Sequence, residues 1–136
     1  MQIPKSLDIL NLQIEPHVGH EVGGHNQLKK SKLNQMSAKD LLRYYRTETR
    51  PVLVISKHEF NQFGMIECMP ITTHNRMVNP FKSMMIKIDT KLNRIHGYVA
   101  PFQILGYDYV ARNGKIIDIL SDQIKPEIDY YIKSIF

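Results

Sequence analysis

The hydrophobic residues of this chain come in short runs, and turn-forming residues interrupt those runs before most could make an ordinary helix. Leu7–Ile14 places apolar side chains at Leu7, Ile9, Leu12 and Ile14, with Leu10 between, and predicts a half-buried strand. Pro16 ends it. Pro51–Ser56 is a continuous apolar run, the pattern of a strand buried on both faces. Phe60, Asn61 and Gly64 mark a turn, and Met65–Ile71 is the next strand. Pro70 lacks an N–H and predicts an edge or a bulge there. Strands are expected at Ser83–Ile88 and Gly97–Leu105. Tyr107–Ala111 and Ile116–Ile119 should pair as a hairpin about Asn113-Gly114, the strongest short hairpin signal. Only the last segment has helical spacing, with Ile124, Ile128, Tyr131, Ile132 and Ile135 on one side. Ser121 is placed to cap it, and Pro126 falls near its start. A second, short helix is expected from Ser37 to about Arg46 or Thr47. Short strands with turn signals, closed by one C-terminal helix, imply a small antiparallel barrel with helical additions.

Composition narrows the function. The chain has 136 residues, enough for one domain and too few for two ordinary ones. Cys68 is the only cysteine, which excludes an internal disulfide and fits a reducing cytosol; Ile66 and Met69 beside it suggest a buried strand. No apolar run approaches the ~20 residues of a membrane helix, and MQIPKSLDIL lacks the apolar stretch of a secretory signal. A cytoplasmic protein that does not span a membrane is expected. A formal net charge of +5 favours a polyanionic partner, nucleic acid or an acidic protein.

The chain has no GxxxxGK[ST], GxGxxG, HExxH or CxxC motif. His17, His20 and His25 share a glycine-rich loop, but their spacing matches no known metal site, and no metal or other cofactor is expected. Two features carry chemistry: Arg50 before a buried strand, and the hydroxyls of Thr72 and Thr73 just after another. RNA can be cleaved without a metal by few groups. The ribose 2′-OH is the nucleophile, and the protein must accept its proton, protonate the leaving oxygen and stabilise charge on phosphorus-bound oxygens. Arginine suits the last task, because its fork of donors matches phosphate and stays charged. From pattern alone the plainer reading is the stronger: Arg50 a solvated flanking charge, Thr72 a loop hydroxyl.

A resemblance reverses that order. LDILNLQIEPHVGHEVGGH (7–25), RPVLVISKHEFN (50–61), IECMPITTHN (66–75) and GYVAPFQILGYDYVARNGKI (97–116) together resemble the MazF/PemK family of toxin endoribonucleases, which act in type II toxin–antitoxin systems. The resemblance implies an SH3-like barrel over residues 1–136, a homodimer, metal-free cleavage of single-stranded RNA at short sequences to a 2′,3′-cyclic phosphate, and a cognate antitoxin with an acidic tail. By position it assigns catalysis to Arg50, Thr72 and His20, and substrate contacts to Glu21, Thr73, His74 and Gln103. Two departures stand out. The Arg-x-Asp pair that some members place before the glutamine is here Ala100-Pro101-Phe102, which leaves His20 as the candidate proton acceptor. Residues 26–49 are an insertion between the first two core strands, carrying the expected short helix and the basic run Lys29, Lys30 and Lys32. Two other readings compete. A gyrase-poisoning toxin of related fold would need a C-terminal Trp motif, whereas the chain has no Trp and ends Ser134-Ile135-Phe136. A catalytically inactive RNA-binding module would have to keep Arg50 and Thr72 without using them.

Overall fold

A computed structural model describes residues 2–14, 35, 37–38, 49–73, 81–88 and 91–136. Seven strands are formed among these residues: β1 (Asp8–Gln13), β2 (Thr49–Val54), β3 (Met65–Thr72), β4 (Ile86–Ile88), β5 (Gly97–Val99), β6 (Leu105–Asp108) and β7 (Lys115–Ile119). Three helices accompany them: α1 (His58–Asn61), α2 (Phe81–Met84) and α3 (Lys125–Ile135). None of the described helices is long and apolar enough to cross a membrane. Of the predicted inserted helix, only Ser37 and Ala38 are among the described residues, Ala38 being helical.

All the pairings are antiparallel, and the sheet order is β4-β5-β3-β2-β1-β7, with β6 also paired to β3. β3 therefore has two partners on one side. Its first half, Met65–Cys68, pairs with β6, and its end, Ile71–Thr72, pairs with β5. Pro70 sits at the change of partner. Its carbonyl accepts from the Ala100 amide at 3.0 Å, so its missing N–H faces that same side, where β6 has ended and β5 has not begun. The expected edge or bulge is thus a junction between two strands.

The Asn113-Gly114 hairpin did not form. β6 pairs with β3 and β7 with β1, at opposite ends of the path β6-β3-β2-β1-β7. The connection 109–114 is contracted into turns by Arg112 N–H to Asp108 O at 3.0 Å and Gly114 N–H to Tyr109 O at 2.8 Å. So short a link between the two end strands requires the five-stranded path to curl into a partial barrel. Local turn chemistry lost to the better pairing that β7 finds on β1. Two further expectations are corrected. Ser83–Ile88 is not one strand, since Phe81–Met84 is helical and only Ile86–Ile88 is extended. Gly97–Leu105 is split by a turn at 101–102.

Each face of the sheet buries its own cluster. Leu10, Leu12, Val52, Val54, Ile66 and Cys68 lie on the face closed by Tyr109 of the β6–β7 connection. Ile9, Leu53, Met69, Ile71, Ile86, Ile88 and Val99 lie on the other, covered by Leu120, Ile124 and Ile128. The alternation of Val52, Leu53 and Val54 between the clusters explains the continuous apolar run, as predicted. α3 carries Pro126 in its first turn, where a missing N–H costs nothing. Ser121 does not cap it. Its hydroxyl accepts from the Gln123 amide at 3.2 Å in the turn before, and Ile124 holds the cap position without a side-chain bond.

Candidate active site

Arg50 is the second residue of β2 and Thr72 the last of β3. Pro51 confines the residue before it to extended backbone, so Arg50 leaves the strand in a defined direction. β2 pairs with β3 as Val52↔Pro70, Leu53↔Met69 and Val54↔Cys68. The pairing ends at Val52↔Pro70, and each strand runs two residues further, β2 back to Arg50 and β3 on to Thr72. Alternation along each strand from Val52 and Cys68, which share one cluster, puts Arg50 and Thr72 on that same face. On the other side of β3, Thr72 pairs with Tyr98, and Tyr98 pairs in turn with Lys87. Thr72, Tyr98 and Lys87 thus form one row across β3, β5 and β4, and Arg50 stands near the start of β2, on the other flank of β3. Arg50 and Lys87 are exposed, and Thr72 and Tyr98 are half-buried.

Gly97 allows the row to close up. A Cβ there would stand 2.6 Å from the Thr72 carbonyl oxygen and 3.3 Å from Ile71 Cγ2, and φ is +156°. Only glycine lets β5 approach Thr72 so closely. Beside the row is a cavity of about 230 Å³ lined by Thr73, Lys87, Ile88, His96, Gly97 and Tyr98. The turn leading into it is pinned from β7. Asp118 accepts from the amides of Arg94 at 2.7 Å and Ile95 at 3.1 Å, and from Asn93 Nδ2 at 3.2 Å. Burial works against the charge of Asp118, but these bonds and the Ile119 amide outweigh it and hold the carboxyl below its ordinary pKa.

Of the predicted site residues, Arg50 and Thr72 lie at the adjoining ends of the paired strands β2 and β3, and Thr73 follows as an exposed residue lining the cavity. Gln103 is exposed in the turn between β5 and β6, its amide donating to Ala100 O at 3.2 Å. That turn lies alongside Cys68–Pro70, two to four residues back along β3 from Thr72, or ~7–14 Å. His20, Glu21 and His74 lie outside the described residues, as do His17 and His25. β1 ends at Gln13, which pairs with Thr49, the first residue of β2, beside Arg50.

A family model described as PemK-like, MazF-like toxin of type II toxin–antitoxin system matches residues 5–136. The chain belongs to that family. Among solved structures it is similar to a crystal structure of MazF from Deinococcus radiodurans, with TM-score 0.65 and 18% identity over 99% of this chain and 97% of that one. A MazE–MazF crystal structure from the same organism gives TM-score 0.67 and 16% identity over 99% and 96% of the two chains. An endoribonuclease in complex with its cognate antitoxin, from a mycobacterial species, gives TM-score 0.60 and 11% identity over 98% and 93%. At such identities the likeness speaks for the fold, and the curled antiparallel sheet with its C-terminal helix is the MazF fold. No curated protein sequence matches the chain.

In this PemK/MazF-like toxin the sequence reading passed over Gly97, Tyr98, His96 and Lys87. Lys87 had a signal, because Ile86-Lys87-Ile88 alternates and turns the lysine away from the core. The placing of Tyr98 between Thr72 and Lys87 had none, since strand order is not written in any local run. Cys68 is fully buried, as expected of its apolar neighbours, with its thiol 3.4 Å from Leu105 O.

Proposed function

We propose that this toxin is a metal-independent endoribonuclease that cuts single-stranded RNA at short sequences. The observation that carries the reading is that Arg50 and Thr72 stand at the adjoining ends of two paired strands, in a chain of the PemK/MazF-like toxin family. The substrate 2′-OH attacks the adjacent phosphorus, and the P–O5′ bond breaks to leave a 2′,3′-cyclic phosphate and a 5′-OH. His20 accepts the 2′-OH proton, for which an ordinary imidazole is suited. Arg50 faces the phosphoryl oxygens with a fork of donors and Thr72 adds a hydroxyl donor, so both strengthen their bonds as charge develops. Solvent, which reaches exposed Arg50, supplies the proton for the leaving oxygen. Glu21, Thr73, His74 and Gln103 contact the flanking nucleotides. The protein works in the cytoplasm as a homodimer. A cognate antitoxin holds it in check, as the MazE–MazF neighbour and the mycobacterial endoribonuclease–antitoxin complex suggest by analogy.

The test is a long single-stranded RNA incubated with purified protein in excess EDTA, with the ends mapped by primer extension. Discrete cuts bearing 5′-OH ends are expected. Arg50→Ala should abolish them and Thr72→Ala should slow them roughly 10- to 1000-fold. Cuts that vanish with EDTA, or that Arg50→Ala makes equally well, refute the reading.

A further inference from the structure

We propose that Tyr98 and Lys87 form a nucleotide subsite next to the cleavage site: one base of single-stranded RNA stacks on the Tyr98 ring, and Lys87 holds a neighbouring phosphate. The inference rests on the endoribonuclease reading and adds the path the RNA takes beyond the scissile bond. Tyr98 is the direct cross-strand partner of Thr72, and Lys87 the direct partner of Tyr98. A ring therefore stands about one strand spacing from the catalytic hydroxyl, and a cation about two, on the same face. A strand of RNA laid along the row crosses the sheet nearly at right angles to its strands. It meets donor, ring and cation in the order phosphate, base, phosphate.

The cavity between them supports this partner over others. At about 230 Å³ it is below the ~300–1,000 Å³ of ordinary small-molecule pockets, and suits a single planar ring. Its lining includes Tyr98 and Lys87, residue types that together grip single-stranded nucleic acid through a base face and its backbone charge. Thr73 and His96 line the same cavity and offer polar atoms to a base edge. The site is built in advance. Asp118 and Asn93 fix the turn just before His96, and the glycine at 97 draws β5 against Thr72. Such a site loses little freedom on binding. An acidic peptide would answer to Lys87 but has no use for an aromatic face beside it.

The experiment uses the full chain and a fluorescein-labelled 20-nucleotide RNA of mixed sequence whose 2′-hydroxyls are all replaced by fluorine, which removes the nucleophile. Kd is read by fluorescence anisotropy at a series of salt concentrations, beside cleavage of a long natural RNA. Tyr98→Ala should weaken binding about 5- to 150-fold, the range for loss of one stacked base. Tyr98→Phe should stay within about twofold of wild type. Lys87→Gln should lower the slope of log Kd against log salt by about 0.7, and Lys125→Gln, on the far helix, should weaken binding less than Lys87→Gln. In cleavage, Tyr98→Ala should act mainly on KM and shift the preferred cut sequences. A wild-type protein that cuts RNA while Tyr98→Ala binds within twofold overturns the subsite alone. So does loss on Lys87→Gln with none on Tyr98→Ala, which indicates a phosphate contact with no stacked base, or equal loss in Tyr98→Phe and Tyr98→Ala. A wild-type protein that neither binds nor cuts overturns the endoribonuclease reading and the subsite with it.

Discussion

Gly97→Ala separates the geometry of the row from the stability of the fold. A methyl at this position meets the Thr72 carbonyl oxygen at 2.6 Å, against about 3.4 Å for an ordinary contact, so β5 and β3 must part by roughly 0.8 Å. The obstructing atom is backbone and cannot rotate aside. Overpacking of this size costs about 1–3 kcal/mol, or a fall in Tm of about 4–12 °C at ~4 °C per kcal/mol for a domain of this length. The same displacement carries Thr72 away from Arg50, and a misplacement near 1 Å can cost about 100-fold in rate. The control is Ile128→Val, in α3 under the opposite cluster, which should cost about 0.5–1.5 kcal/mol without touching the row. Tm is read by circular dichroism, and kcat/KM for RNA cleavage is read at 25 °C where both variants are folded. Gly97→Ala should lose one to two orders of magnitude in kcat/KM while Ile128→Val loses little. If Gly97→Ala cuts within threefold of wild type, the close approach of β5 to Thr72 has no part in catalysis.

Two further outcomes follow from groups outside the site. Asn61 is fully buried, donating to Pro4 O at 2.9 Å and Ser56 O at 3.0 Å and accepting from the Ser56 hydroxyl; Asn61→Ala strands these partners and should cost about 3 kcal/mol, seen as a lower urea midpoint, and an unchanged midpoint would refute the network. Asp118 has a lowered pKa when folded, so its contribution is full above the ordinary carboxylate pKa near 4 and fades as pH falls through the folded value. Asp118→Asn should therefore be less stable than wild type at pH 7, by about 1–2 kcal/mol because solvent screens a half-exposed carboxylate, and the gap should close on acidification; a gap that widens below pH 4 contradicts the assignment.

The sequence disclosed the strands and hid their neighbours, for a physical reason visible at three residues. Periodicity is local, and it placed β1, β2, β3 and α3 within a few residues of their observed ends. Pairing is a contest between distant segments, so the Asn113-Gly114 signal, strong on its own, gave way when β7 found β1 and β6 found β3. Pro70 shows the same limit from the other side: the missing N–H was read correctly as an interruption, but only the arrival of β5 and β6 on one flank shows what it interrupts. The proposed catalytic pair repeats the pattern. Arg50 and Thr72 are legible as motif residues, each at a strand end, yet local signals do not say that β2 and β3 lie side by side, and nothing near Gly97-Tyr98 says that β5 will pair with Thr72. Chemistry that depends on residue type can thus be read along a strand, while chemistry that depends on which strand lies beside it is settled by the whole sheet. That is why the tests of this site belong to Gly97 and Tyr98 as much as to Arg50: these are the positions where the sheet, and not the motif, decides whether phosphate, hydroxyl and base can meet.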